Sequence, residues 1–228
     1  MRFRGQSINY EASTVTVNEA GSRSVTLLEY KYYLGYSDPE LSTADLNNKI
    51  FFLKRKTLAP SSKAGGITLV HETLDQVRSP RKSWVYVPGQ RRIRRTPDLN
   101  HDTPDSSTNS LRTVDQVDMF NGSPTYYNWE LIGKQEMYIP YNSYKLVDRD
   151  LTYDQIVKAG HINQELTRYE LHRVWHVRAT LKDGERHISG QRDFFFDEDP
   201  WQAAVIDHYD GRGELWRVAE AHSMQFYD

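Results

Sequence analysis

One stretch, Tyr169 to Leu181 (YELHRVWHVRATL), constrains this chain more than any other. Tyr169, Leu171, Trp175, Val177, Ala179 and Leu181 share one parity, while Glu170, His172, His176, Arg178 and Thr180 share the other. A strand sends alternate side chains to opposite faces, so the segment predicts a long strand with one apolar, aromatic face and one polar face. Arg173 and Val174 each break the pattern once. Asp183-Gly184 follows as a turn dipeptide and predicts a partner strand near Arg186 to Gln191.

Similar signals recur on both sides of this strand. Ser24 to Tyr36, Ile50 to Leu58 and Ile67 to His71 are rich in β-formers and punctuated by Gly, Pro and Ser. Ser83 to Arg95 (SWVYVPGQRRIRR) predicts a hairpin, because Pro88 fixes φ and Gly89 accepts φ > 0 at the turn. Residues 96–118 are polar, carry Pro97 and Pro104, and predict a long loop acting as a lid, a docking surface or a plain surface excursion. In Trp129 to Tyr141, Trp129, Leu131, Met137 and Ile139 share a parity and predict another half-buried strand. Thr152 is placed to cap a short helix within 151–167. Phe194 to Phe196, Trp201 to Tyr209 and Glu214 to Phe226 follow one another through tight turns, which favours an antiparallel meander.

The length of 228 residues allows one large all-β domain or two small ones. Fifteen Tyr against 5 Trp and 8 Phe suit sheet surfaces, where the ring is covered and the hydroxyl stays wet. With 29 basic and 31 acidic residues the net charge is -2, which gives no overall reason to expect nucleic-acid binding. The absence of cysteine removes disulfides, thiolate metal sites and thiol catalysis. No apolar run reaches the roughly 20 residues of a membrane-spanning helix, and MRFRGQSINYEAS lacks the apolar core of a signal peptide.

Candidate chemistry is sparse. On a strand, His172 and His176 stand about 13 Å apart, too far to share one ion, and read as surface or groove histidines. His208 beside Asp207, and His222 near Glu220, read as strand residues. Asp197, Glu198 and Asp199 lack the spacing and glycine of a calcium loop and read as a solvated turn, leaving no expected metal site or cofactor. There is no G-x-S-x-G elbow and no phosphate loop. The basic run Arg91, Arg92, Arg94 and Arg95 must point to both faces of a strand. It reads either as a hairpin offset by Asp98, Asp102, Asp105, Asp115 and Asp118, or as a docking point for an anionic lipid headgroup or acidic partner.

Three segments carry a family resemblance: WVYVPGQRRIRRTP (84–97), DQVDMFNGSPTYYNWELIGKQEMYIPYNSY (115–144) and the run from Tyr169 to Val218 containing D-P-W-Q. They closely resemble bacterial DUF1329 proteins, which are similar to the LolA/LolB class of outer-membrane lipoprotein-sorting proteins. The resemblance implies a mainly β fold: a strongly curved antiparallel sheet forming an unclosed half-barrel with a few short helices. It also implies a periplasmic location in a Gram-negative bacterium, with residues 1–228 a single domain from the C-terminal portion of a longer exported protein.

An apolar sheet face with few helices to cover it must curl, dimerise or take up an apolar ligand. Tyr30, Tyr32, Trp84, Tyr86, Trp129, Leu131, Leu171, Trp175 and Val177 are the candidates for that face, with ordinary core packing as the competing reading. The leading expectation is a non-enzymatic carrier of a lipid or lipoprotein acyl chain. A module docking to an outer-membrane or transporter partner is the alternative. A lipid hydrolase would need a serine, a histidine and a carboxylate assembled in space.

Overall fold

The computed structural model describes residues 5–96 and 101–224, so Pro97, Asp98 and the end of the last predicted strand at Phe226 lie outside the described residues. In chain order the strands are β1 (Ser7–Val17), β2 (Arg23–Leu34), β3 (Lys49–Ala59), β4 (Ile67–Thr73), β5 (Lys82–Val87), β6 (Arg92–Arg95) and β7 (Tyr127–Pro140). The four-residue helix α1 (Tyr153–Ile156) follows, then β8 (Val157–Lys158), β9 (His161–Ile162), β10 (Tyr169–Leu181), β11 (Gln191–Asp197), β12 (Ala203–Tyr209) and β13 (Leu215–Glu220). The protein is mainly β, with short 3-10 turns and one short helix, as its β-branched and aromatic segments predict. The long strands form two open antiparallel sheets, ordered β1-β2-β3-β4-β5-β6 and β13-β12-β11-β10-β7, where the resemblance implied one.

The chain groups into two compact units, each described by itself: Met1–Thr16 with Arg23–Val114, and Val17–Ser22 with Asp115–Asp228. In the first, Leu28, Tyr30 and Leu34 are buried along one face of β2. Tyr30 stacks on Tyr10 of β1 with ring centroids 4.9 Å apart, and Tyr32 meets Phe51 of β3 edge-on. The strand β1 was not expected from the sequence. Its residues SINYEASTVTV mix polar and apolar types on both parities, so an edge strand of this kind has no clean period. The polar stretch expected to form a free loop is instead tied down from residue 101 onward. Asp105 is buried, accepts from Ser107, and forms ion pairs with Arg55 of β3 at 3.6 Å and with Arg112 at 2.9 Å.

In the second unit β10 is paired on both sides, by β11 and by β7. The register along β7 shifts between His176 and Val177, where Ile132 is the extra residue and Gly133 takes φ 144, a value that favours glycine. This bulge corrects the parity read from the sequence. Trp129 pairs with Ala179 on one face, whereas Met137 pairs with His172 and Ile139 with Glu170 on the other. The sheet consequently buries side chains on both faces. Tyr127, Ala179, Phe194, Ala203 and Ile206 form one core, with Met119 and Phe120 packed against it. Ile139, Val174, Phe195, Ala204 and Val205 form the other. Val174, the irregularity in the β10 pattern, is fully buried in that second core. The partner of β10 begins at Gln191 rather than near Arg186, because residues 182–190 form a longer connection than the Asp183-Gly184 signal predicts.

At the covered end of the first core lies a buried charge. Arg192 of β11 is 0% exposed, sits 2.8 Å from the Asp115 carboxylate, and donates to His187 at 2.9 Å. Its guanidinium also lies 5.6 Å from the Phe120 ring centroid and 5.2 Å from that of Tyr127. Burial would raise the Asp115 pKa, but hydrogen bonding with His187 and the Arg192 charge outweigh it and hold the carboxyl down at about 2. Replacing Asp115 with Asn leaves a buried guanidinium without its counter-charge, and we expect a loss of about 3–5 kcal/mol in urea unfolding. The double substitution Asp115→Leu/Arg192→Met should cost less than the single one, since it removes both charges together.

Candidate functional site

The face of β10 that carries its odd-numbered residues continues onto β7. Leu131 pairs with Val177, Lys134 with Trp175 and Tyr138 with Leu171. Toward Tyr127 and Leu181 this face is covered by Met119 and Phe120, but toward Leu171 it is open. Leu131, Tyr138 and Leu171 are 61%, 67% and 54% exposed. Trp201, held at φ 53 in the turn after β11, stacks beside Trp175 with centroids 6.5 Å apart. Lys134 lies over the Trp175 ring at 4.4 Å and pairs with Glu198 at 2.8 Å, and Arg173 donates to Glu198 at 2.7 Å. Hydrogen bonds from Arg173 and Lys134 pull the Glu198 pKa down to about 2. The result is an apolar, aromatic strip crossed between Leu171 and Trp175 by the Arg173–Glu136 pair, with Lys134 and Arg173 together outweighing the single charge of Glu198.

Five of the nine predicted face residues, Trp129, Leu131, Leu171, Trp175 and Val177, therefore share one sheet face. The other four do not form a second common face. Tyr30 pairs with Arg55, Arg55 with Thr68 and Thr68 with Val85, which places Val85 beneath Tyr30 and turns Trp84 and Tyr86 to the opposite side. Tyr30 is buried in its unit's core. Trp84 pairs instead with Arg95, and Tyr86 with the exposed Ile93.

Arg92, Arg94 and Arg95 lie exposed on the edge strand β6, while Arg91 adopts φ 49 at the end of the Pro88–Gln90 turn. Arg94 donates to Gln90. Two of the acids expected to offset this run pair elsewhere: Asp105 with Arg55 and Arg112, and Asp115 with Arg192.

The opposite face of β10 is polar on either side of Val174. His172 lies 3.2 Å from the Asp197 carboxylate, and His176 lies 3.2 Å from that of Asp193, which also receives two hydrogen bonds from Arg178. The two histidines thus serve separate carboxylates, in keeping with their spacing. Asp197 is not a residue of a solvated turn, as the acidic run suggested. Only 2% exposed, it ends β11 against the second core.

Two serine–histidine contacts bear on hydrolysis. Ser143 Oγ is 3.4 Å from His222 Nδ1, and His222 Nε2 is 3.1 Å from Glu220, which also accepts from the Tyr169 hydroxyl. Ser143 is 1% exposed, so a substrate carbonyl has no approach to its oxygen. Ser189 Oγ is 3.2 Å from His208 Nδ1, and both residues are buried. Burial, reinforced by the Arg192 charge, pushes the His208 pKa down to about 3. His208 is a strand residue of β12 as expected, whereas His222 lies past the end of β13 at Glu220 and is not the strand residue the sequence suggested.

His208 gives the fold an acid-sensitive group. It stays neutral when folded but gains a proton in the unfolded chain below about pH 6.5, so acidification favours unfolding from there down toward its folded pKa. We expect urea-unfolding free energies to fall as pH drops from about 6.5 to 4, with His208 contributing a slope of up to about 1.4 kcal/mol per pH unit. His208→Gln should flatten that slope.

Fold and strip together define an open antiparallel β protein with an uncovered aromatic face. The chain belongs to the family described as "Protein of unknown function (DUF1329)", whose family model matches residues 1–228. An uncharacterised protein of Pseudomonas aeruginosa is 53% identical over 227 residues, covering all of this chain and 50% of its own length. The chain thus spans about half the length of the curated relative it matches. A solved Vibrio parahaemolyticus domain, described as an outer membrane lipoprotein-sorting protein domain, superposes with TM-score 0.56 at 13% identity over 98% of this chain and 74% of its own. A DUF1329 structure from Desulfovibrio piger gives TM-score 0.50 at 15% identity over 93% and 69%. At these identities the likenesses to solved structures establish shared fold.

Proposed function

We propose that residues 1–228 are a working part of a periplasmic, non-enzymatic carrier that holds a lipid or lipoprotein acyl chain against the strip of β7 and β10. The observation that carries this reading is the exposure of Leu131, Tyr138 and Leu171 beside Trp175 on one sheet face. Apolar and aromatic side chains exposed together on one face mark a binding surface. Fold likeness to a lipoprotein-sorting domain supports the choice of cargo. Affinity would come from apolar burial at about 25 cal/mol per Å², and the aromatic rings would set the width of the bound chain.

Native mass spectrometry with organic extraction, followed by titration of a fluorescent fatty-acid probe, tests the reading. We expect bound acyl-containing mass and saturable probe uptake. Leu171→Glu should weaken uptake about tenfold or more, because a carboxylate replaces an exposed leucine that the acyl chain would cover. Leu215→Glu, on the exposed part of β13, should leave uptake unchanged. Absence of both bound lipid and probe uptake would sink the carrier.

A second reading rests on β6. Its exposed arginines have no ion-pair partner among the described residues and suit docking to an acidic outer-membrane or transporter partner, or to anionic headgroups. Sedimentation with anionic lipid vesicles should show binding that weakens with salt and is reduced by serine at Arg92, Arg94 and Arg95. Equal binding by that triple variant would exclude this use of the strand.

A further inference from the structure

The polar face of the five-stranded sheet places three metal-capable side chains together at the end of β11. His172 Nδ1 lies 3.2 Å from Asp197 Oδ1 and 4.0 Å from Asp199 Oδ2, and one donor atom from each of the three lies within 4.8 Å of the other two. We propose that His172, Asp197 and Asp199 bind a divalent transition-metal ion, with zinc as the best fit. This site is separate from the strip of β7 and β10 and independent of the carrier reading.

The two separations from His172 suit an ion. Nitrogen and oxygen ligands bind zinc at about 2.0–2.2 Å, so two donors on one ion sit between about 3.3 Å, the tetrahedral edge, and about 4.2 Å, directly across it. The two separations from His172 fall inside or at the edge of that range. Small side-chain rotations of the exposed Asp199 bring its oxygen in.

Asp197 supplies the independent observation. Its side chain is 2% exposed, and its Oδ2 atom has no hydrogen-bond partner among the described residues. A buried carboxylate oxygen left unsatisfied is costly, and a cation beside it removes the cost. The Asp197 Oδ1 atom accepts from the Asp199 backbone N–H at 3.4 Å, which bends the chain so that both carboxylates turn toward one histidine. The His172 ring is held against Tyr141 with centroids 4.3 Å apart, so its orientation is fixed in advance.

The chemistry of the donor set selects among ions. One imidazole and two carboxylates suit zinc and its transition-metal neighbours, whereas calcium and magnesium favour all-oxygen sites. On binding, His172 gives the Nδ1 lone pair to the metal in place of its contact with Asp197, carrying its ring proton on Nε2, and any proton displaced passes to solvent.

Isothermal titration of the chelator-treated protein with zinc chloride, paired with thermal melts, provides the test. We expect one tight equivalent and, at about a hundredfold excess over Kd, a rise in melting temperature of about 5 °C or more. Asp199→Ala should weaken that equivalent at least about tenfold while leaving the metal-free melting temperature unchanged, since Asp199 is 74% exposed. His172→Ala should abolish it. Cobalt substituted for zinc should give visible absorption of a four-coordinate nitrogen–oxygen site. If zinc binds as tightly to the Asp199 variant, or if no equivalent binds to the parent protein, the proposal is overturned.

Discussion

A strand that is hydrogen-bonded on both sides cannot rotate to hide an unsuitable side chain, so every residue of Tyr169–Leu181 is committed to one face or the other. The bulge at Ile132 and Gly133 then decides which β7 residues meet each of them. Before it, Trp129 and Leu131 lie with Val177 and Ala179. Beyond it, Met137 and Ile139 lie with the opposite parity. Both faces therefore hold apolar cores at different positions along the sheet, and the uncovered strip is the part of one face that neither core reaches.

This arrangement explains what could be read from the residues alone. The organising strand, the hairpin around Pro88 and Gly89, and the Thr152 cap were legible because each depends on local chemistry: a period of two, a fixed φ, and a side chain that satisfies a backbone group, although the positive φ of the turn falls on Arg91 and not on Gly89 as expected. The shared face of Trp129, Leu131, Leu171, Trp175 and Val177 was legible for the same reason. The opposed placement of Tyr30 and Trp84 was not, since only cross-strand register reveals it. Met137 and Ile139 were misread because nothing in WELIGKQEMYIPY except Gly133 hints at an extra residue. The burial of Asp197 was hidden because an acidic run looks like a turn until its neighbours in space are known.

Charge is sorted by the same geometry. Where the sheet is covered, ionised groups are paired and buried, as with Asp115 and Arg192 or Asp105 and Arg55. Where it is open, Lys134 and Arg173 share the one carboxylate of Glu198 within the aromatic strip, and Glu136 pairs across from Arg173 on the same face. The edge strand β6 is the exception, with its arginines turned to solvent. A long row of cations on an exposed edge also discourages another strand from adding there.

The buried guanidinium of Arg192 has a consequence for how the chain reaches its fold. Arg192 enters the sheet with β11, but Asp115 and Phe120, which make its burial tolerable, come from far earlier in the sequence. Closing the sheet over Arg192 before that segment has docked would strand a charge in apolar surroundings. The segment and the covered end of the sheet must consequently assemble in one cooperative step, a contact between distant parts of the chain that slows folding but makes a half-formed sheet unstable.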